Sequence, residues 1–186
     1  AAIMINKFAS RDTTDGDKVV TCVYTGHQYV YTGAFFYSPV GVLSREHSWP
    51  HSWMPTFPDL DGDEYSDLHN LFPAHQNEAN GVRSNLPLGN VVTVTGTYLE
   101  GTVGDDANGN KVYEPRDQHK GDAARAIFYM AAKWNGLGDV WDFPNPISAS
   151  LVPYGQNQDV LKAWHWQDLP DNWEIARNDF IQSEQG

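Results

Sequence analysis

The chain is predicted to be a single α+β domain, and three observations carry that prediction. β-Branched and aromatic residues concentrate in the first forty positions and again near 91–113, as strands require. The stretch from about Gly121 to Trp134 instead repeats small and apolar residues at helical spacing. The 186 residues contain no internal repeat and no long linker, which suits one core.

Taken in order, Val19 to Tyr24 reads as a strand, and His27 to Phe36 continues the β signal, broken by Gly26 and Gly33. Val40 to Glu46 can form a short strand. Pro50, Pro55 and Pro58 then exclude regular structure. Leu68 to Phe72 reads as a second short strand stopped by Pro73, and Ala74 to Val82 as a helix. Val91 to Leu99 is a strand, and Asn108-Gly109 is a hairpin-type turn leading into Lys111-Val112-Tyr113. The helix from about Gly121 to Trp134 gathers Ala123, Ala124, Ile127 and Met130 on one face, with Asp122 near its positive end. Pro144, Pro146 and Pro153 mark an irregular tail, followed by helices around Gln158–Trp164 and Asn172–Gln182.

Cys22 is the only cysteine, so no intrachain disulfide forms, and its strand context makes it a buried apolar residue. No apolar stretch approaches the ~20 residues of a membrane span. Ala1 to Asn6 is too short and uncharged for a signal peptide, the pattern of a mature or trimmed chain.

Chemistry concentrates in three blocks between residues 45 and 85: Arg45-Glu46-His47-Ser48-Trp49-Pro50, then Asp67-Leu68-His69-Asn70-Leu71, then Asn80-Gly81-Val82-Arg83-Ser84-Asn85. They bring together a carboxylate, imidazoles, side-chain amides and guanidiniums. Those groups can hold one hard divalent cation beside a general base and a phosphate. In this order the blocks resemble the endonuclease I family of secreted bacterial nucleases, of the ββα-metal (His-Me finger) class. The resemblance continues through Tyr113-Glu114-Pro115 and Lys120-Gly121-Asp122-Ala123-Ala124-Arg125 into the helix.

The resemblance implies a ββα-metal core over about 40–86, with added β-hairpins and surrounding helices. It implies a magnesium-dependent, sequence-non-specific endonuclease acting on DNA and potentially RNA, secreted or periplasmic and expected to be a monomer. His47 would be the general base, and Glu46 and Asn80 the ligands of Mg²⁺, for which Mn²⁺ or Ca²⁺ could substitute. Arg83 would contact phosphate or, nearly as well, form a salt bridge that fixes the helix. Arg45, Asn85, Lys120 and Arg125 would bind substrate. Asn70 would orient His47, and His69 would order the second strand. Relatives continue beyond the segment Arg177-Asn178-Asp179-Phe180-Ile181, so either the C-terminus is truncated or the protein differs from them there.

Two features need separate physical treatment. On a regular strand Glu46 and His47 point to opposite faces, so both can serve one centre only where the strand ends or bulges. The net charge of −12 opposes phosphate binding. Screening over ~8 Å makes the local field decisive, however, and Lys111, Arg116, Lys120, Arg125 and Lys133 fall in one stretch.

Other readings compete for the same residues. His47 and His51 have the spacing of a helical zinc pair, but Pro50 between them opposes a helix. Asp59, Asp61 and Asp63 place oxygens at alternate positions, as in a calcium loop. The glycine comes too early and the last Glu is missing, so a solvated acidic turn is preferred over a second cation there. Glu114 and Arg125 can pair to lock the hairpin to the long helix. The seven tryptophans would suit a secreted carbohydrate- or protein-binding module, which leaves the three polar blocks unexplained.

Overall fold

A computed structural model describes residues 9–32, 43–54, 56–134, 151–152 and 155–186. The strand signal expected over 33–42 and the prolines at 144, 146 and 153 lie outside them. Within the described residues the chain is α+β, with antiparallel sheets.

β1 (Arg11–Asp12), β2 (Lys18–Thr21) and β3 (Gln28–Tyr31) form an antiparallel sheet in that order. β2 stops at Thr21 rather than at Tyr24 because the next residues bond to other elements. The Val23 amide donates to the Pro73 carbonyl at 3.0 Å, and the Arg116 amide to the Tyr24 carbonyl at 2.9 Å. Cys22 is fully buried, and its Sγ accepts the His75 amide at 3.2 Å.

β4 (Leu43–His47) pairs antiparallel with β5 (Leu71–His75). β5 lies later than the expected 68–72, since Leu68–Asn70 form a 3-10 turn capped by Asp67. It also runs through Pro73 instead of stopping there. Pro73 sits opposite Arg45, and its carbonyl faces Val23 on the other side, so β4 never needs the missing N–H. Between the strands lie a 3-10 turn at His51–Trp53 and α1 (Asp63–Ser66).

The helix expected from Ala74 begins at Gln76 instead. A wide turn, Gln76–Asn80, runs into α2 (Gly81–Arg83). Its first amides are satisfied by His75, whose Nδ1 accepts from Asn77 at 3.1 Å and Glu78 at 3.2 Å. Strand, strand and helix therefore follow one another as expected.

β6 (Thr93–Tyr98), β7 (Gly101–Asp105) and β8 (Lys111–Glu114) form a meander. β7 carries too little β signal to be read from sequence. Its Gly104 lies so near β6 that a Cβ would stand 2.1 Å from the Thr93 carbonyl oxygen. α3 (Lys120–Trp134) follows, then the paired β9 (Leu151–Val152) and β10 (Gln156–Asn157), α4 (Gln158–Gln167) and α5 (Asn172–Gln185). Asn157 and Asp171 cap the last two helices.

A main core joins most of these pieces, with smaller buried clusters under β2 and β3 and between α5 and the start of β5. Ile127 and Met130 of α3 belong to the same buried cluster as Tyr24, Phe72, Tyr113 and Trp164. Trp49, Trp53 and Trp134 are buried in it too, so these four tryptophans are core rather than a stacking surface, while Trp166 is exposed. Arg177 of α5 is buried against Phe72, its guanidinium 4.0 Å from the ring centroid. It donates to the Leu68 carbonyl at 2.6 Å and the Leu71 carbonyl at 3.2 Å, which ties α5 to the start of β5.

His119 is fully buried between Tyr24 and Phe72, with ring centroids 5.1 and 4.8 Å away. Burial lowers its pKa against the pull of Asp122. The unfolded chain therefore takes up this proton near pH 6.5 and the folded one only at lower pH, so stability falls as pH drops below 6.5. His119→Phe should flatten the slope of unfolding free energy between pH 6.5 and 5 by up to about 1.4 kcal/mol per pH unit. Denaturant melts across that range check it, and an unchanged slope refutes it.

Candidate active site

The site is built on the end of β4. Glu46 is buried at 3 % exposure and Arg83 is completely buried, with Arg83 Nη1 donating to Glu46 Oε1 at 2.5 Å. The same guanidinium donates to the His47 carbonyl at 2.8 Å and, through Nη2, to the Ser48 carbonyl at 2.6 Å. Of the two roles expected for Arg83, this geometry is the salt bridge. The group lies below the surface and holds the strand end to the helical segment. Desolvation raises the Glu46 carboxyl to about 7, outweighing the charge and hydrogen bond of Arg83.

His47 is the last residue of β4, and the chain bends at Ser48. This ending, with no break in register, lets Glu46 and His47 border one cavity. His47 Nε2 lies 2.9 Å from the Tyr65 carbonyl oxygen. A carbonyl only accepts, so Nε2 carries the proton and Nδ1 keeps its lone pair. Asn70, expected in this orienting role, instead clamps Trp49, two residues further on. Its Oδ1 accepts the Trp49 amide at 2.7 Å, and its Nδ2 donates to the Trp49 carbonyl at 3.0 Å. Burial lowers the His47 pKa to about 4, against the Tyr65 hydrogen bond, so the ring is neutral at ordinary pH.

Tyr65 is the organiser that sequence reading missed. Its ring stacks on His47 at 4.8 Å, lies 4.5 Å from His51, and supports the Arg45 guanidinium 4.9 Å from its centroid. Arg45 also bonds the Tyr65 hydroxyl. His51 Nε2 lies 2.9 Å from the Asp59 carbonyl oxygen, so it too is tethered through a protonated Nε2.

Asn80 reaches back from the wide turn. Its Nδ2 donates to Ser44 Oγ at 2.9 Å and to the Arg45 carbonyl at 2.8 Å, which leaves Oδ1 as its remaining acceptor. Arg45, Glu46, His47, His51, Asn80 and Asn85 border one cavity of about 320 Å³. Nothing in the spacing marked His51, since Pro50 had removed it from the only pattern considered.

Other expected residues lie elsewhere. Lys120 is buried and paired with Glu114 at 2.6 Å and Asp117 at 2.7 Å. Arg125 pairs with Asp122 at 2.9 Å and Glu174 at 2.5 Å. Neither borders the cavity of Glu46 and His47, and their charges are already matched. Glu114 is structural, as expected, but its partner is Lys120 rather than Arg125. His69 packs on Tyr129, ring centroids 4.2 Å apart, outside the cavity; its amide donates to Asp67 within the turn that precedes β5. Asp59, Asp61 and Asp63 do not gather their carboxylates at one point among the described residues.

His27, His75 and Glu78 do cluster, their ligand atoms all within 4.8 Å of one another. His75 Nδ1 accepts two backbone amides, so its proton sits on Nε2 and no lone pair remains for a metal. The cluster is a helix cap braced by the His27–Glu78 contact at 3.1 Å.

Residues 3–186 match the family model for Endonuclease I. The chain is 35% identical over 144 residues to an extracellular ribonuclease of Bacillus subtilis (strain 168), covering 76% of this chain and 47% of that protein. It is 33% identical over 148 residues to the extracellular ribonuclease of Bacillus amyloliquefaciens, covering 78% of this chain and 48% of the relative. An extracellular deoxyribonuclease of Aeromonas hydrophila is 29% identical over 120 residues, 64% of this chain and 45% of its own length. The chain thus spans about half the length of the curated relatives it matches.

Removing the Arg83 guanidinium leaves a buried carboxylate without a partner. Arg83→Ala should destabilise the metal-free protein by about 3–5 kcal/mol at pH 8. Without Arg83 the Glu46 pKa rises further, so the folded state binds the extra proton and the loss shrinks toward pH 5. Chemical denaturation at both pH values tests this, and equal losses at the two would refute it.

Proposed function

The chain belongs to the endonuclease I family, and from that premise we propose that it is a metal-dependent endonuclease hydrolysing phosphodiester bonds in DNA and RNA. It acts without sequence preference and outside the cytoplasm. The observation that carries this reading is the cavity shared by Glu46, His47 and Asn80, in which His47 keeps a free Nδ1 lone pair. The names of the relatives, extracellular ribonuclease and deoxyribonuclease, support both substrates and export. The order β4, β5, helical segment agrees with a ββα-metal core.

In this reading His47 Nδ1 takes a proton from water as the water oxygen attacks phosphorus. The bond to the 3′ oxygen breaks, that oxygen takes a proton from solvent water, and His47 returns its proton to solvent, leaving a 5′-phosphate and a 3′-hydroxyl. The Nε2 tether to Tyr65 keeps the accepting nitrogen aimed throughout, and burial keeps it neutral and ready to accept. Arg45 and Asn85, at the rim of the same cavity, contact the backbone of the substrate.

The residues present fit a small hard cation. Glu46 Oε2 receives no hydrogen bond among the described residues, and Asn80 Oδ1 is left over once its amide is bound. Two oxygen donors with room for water and phosphate suit Mg²⁺, or Mn²⁺ or Ca²⁺ in its place. A nearby divalent charge would also favour the ionised Glu46 carboxylate that burial opposes. Bound there, the ion would neutralise charge at the phosphate and the departing oxygen.

Plasmid nicking with Mg²⁺ and with EDTA tests the reading directly. His47→Ala should lower the rate by about 10²–10⁴ without loss of fold. Asn80→Ala should weaken metal affinity, with part of the rate recovered at high Mg²⁺. Equal cleavage in EDTA removes the metal, and a folded His47→Ala variant cutting at the parent's rate removes the base.

A further inference from the structure

Resting on the hydrolysis just described, we infer that Tyr65 is a positioning residue whose hydroxyl and ring hold the Arg45 guanidinium beside His47, so that this cation meets the scissile phosphate. The need for such placement follows from where the cations went. Residues 48 to 66, between β4 and β5, include no lysine or arginine. Arg83 is sealed beneath the cavity, and Lys120 and Arg125 are paired with carboxylates outside it. Among the described residues that border the cavity, Arg45 is the only lysine or arginine. Where that one side chain is held therefore decides how the site meets an anion.

Strand geometry and Tyr65 fix the placement together. Arg45 and His47 lie two residues apart on β4, so both side chains leave the same face of the strand. Tyr65 reaches both from α1. Its ring stacks on His47 with centroids 4.8 Å apart and lies 4.9 Å from the Arg45 guanidinium carbon, and its hydroxyl accepts from Arg45 Nη2. Tyr65 is buried and does not itself border the cavity, so it acts through the two residues it holds. It sets the base through its carbonyl and ring, and the cation through its hydroxyl and ring. The means of holding matters. Lys120 and Arg125 face carboxylates that cancel their charge, whereas a hydroxyl and a ring face place a guanidinium without a counter-charge. A guanidinium carries five N–H donors in one plane, more than one hydroxyl can accept, and that fork matches a phosphate.

Tyr65→Phe removes the hydroxyl and keeps both the ring stack and the carbonyl tether of His47. With its fold confirmed by a thermal melt, its kcat/KM for plasmid cleavage in Mg²⁺ should fall about tenfold, the scale of one hydrogen bond to a charged group. A double-mutant cycle separates positioning from a structural role. In an Arg45→Gln background the further change Tyr65→Phe should cost less than about twofold, because the cation it places is gone, whereas independent roles would multiply. Arg45→Gln alone should also flatten the slope of log kcat/KM against log salt by about 0.9, the value of one phosphate contact on duplex DNA. A cost of Tyr65→Phe that is the same with and without Arg45, or an Arg45→Gln protein with the parent's rate and salt slope, overturns the inference and leaves the functional reading standing. A parent that cleaves nothing with any divalent ion overturns the functional reading first, and this inference with it.

Discussion

The buried contact between Arg83 and Glu46 is the constraint on which the site depends. Taking two charges out of water costs several kcal/mol per ion, repaid only when the geometry is good and further hydrogen bonds are made. Arg83 meets that condition by giving its remaining reach to the carbonyls of His47 and Ser48. A planar guanidinium can serve a carboxylate and two carbonyls together, which an ammonium does less well. The result is that three consecutive residues, 46 to 48, are pinned from the helical side. Glu46 is fixed as to which oxygen is spent, and His47 as to where its backbone lies.

The loop between β4 and β5 completes what Arg83 begins. Its prolines and acidic residues suggest a solvated excursion, yet its backbone supplies the carbonyls of Asp59 and Tyr65 that tether His51 and His47. Glu64 is buried and accepts from Thr56 Oγ1 at 2.5 Å, and Asp67 caps a turn while pairing with Lys133 at 2.9 Å. Acidic side chains here therefore serve as clamps for a backbone whose carbonyls face the imidazoles. The carboxylates do the folding and the amide oxygens do the aiming.

How far the sequence could be read follows from this division. The α+β class, the long helix from about Gly121, and the order strand, strand, helix were legible because periodicity and turn residues report local structure. Glu46, His47, Asn80, Arg45 and Asn85 were legible as a set because their motif order carries a family resemblance, and they do border one cavity. What was not legible is long-range. β5 runs through Pro73 because Val23 takes its carbonyl, and β7 forms although its residues barely favour a strand. The partner of His47 is a main-chain oxygen eighteen residues away, and no side-chain pattern encodes that. Lys120 and Arg125 looked like phosphate ligands although Glu114, Asp117 and Asp122 stand close by in sequence, since charge spacing alone does not say which carboxylate a cation will take; only Glu174 is distant in the chain.

The net charge of −12 takes on a different meaning once those pairs are seen. Lys111, Lys120, Arg125 and Lys133 each face a carboxylate, so the apparent basic stretch from 111 to 133 is largely neutralised at short range. For the proposed substrate, attraction must then come from within about one screening length of the cavity, roughly 8 Å in physiological salt. The cavity is bordered by Arg45, a neutral His47, His51, and Glu46, which Arg83 already balances. In the proposed reading, a divalent cation would add positive potential at that spot. Such a site would, on that reading, draw a phosphate into the cavity while the net charge of −12 opposes the rest of a polyanion. On the proposed reading, that balance would favour release after each cut over retention along the strand.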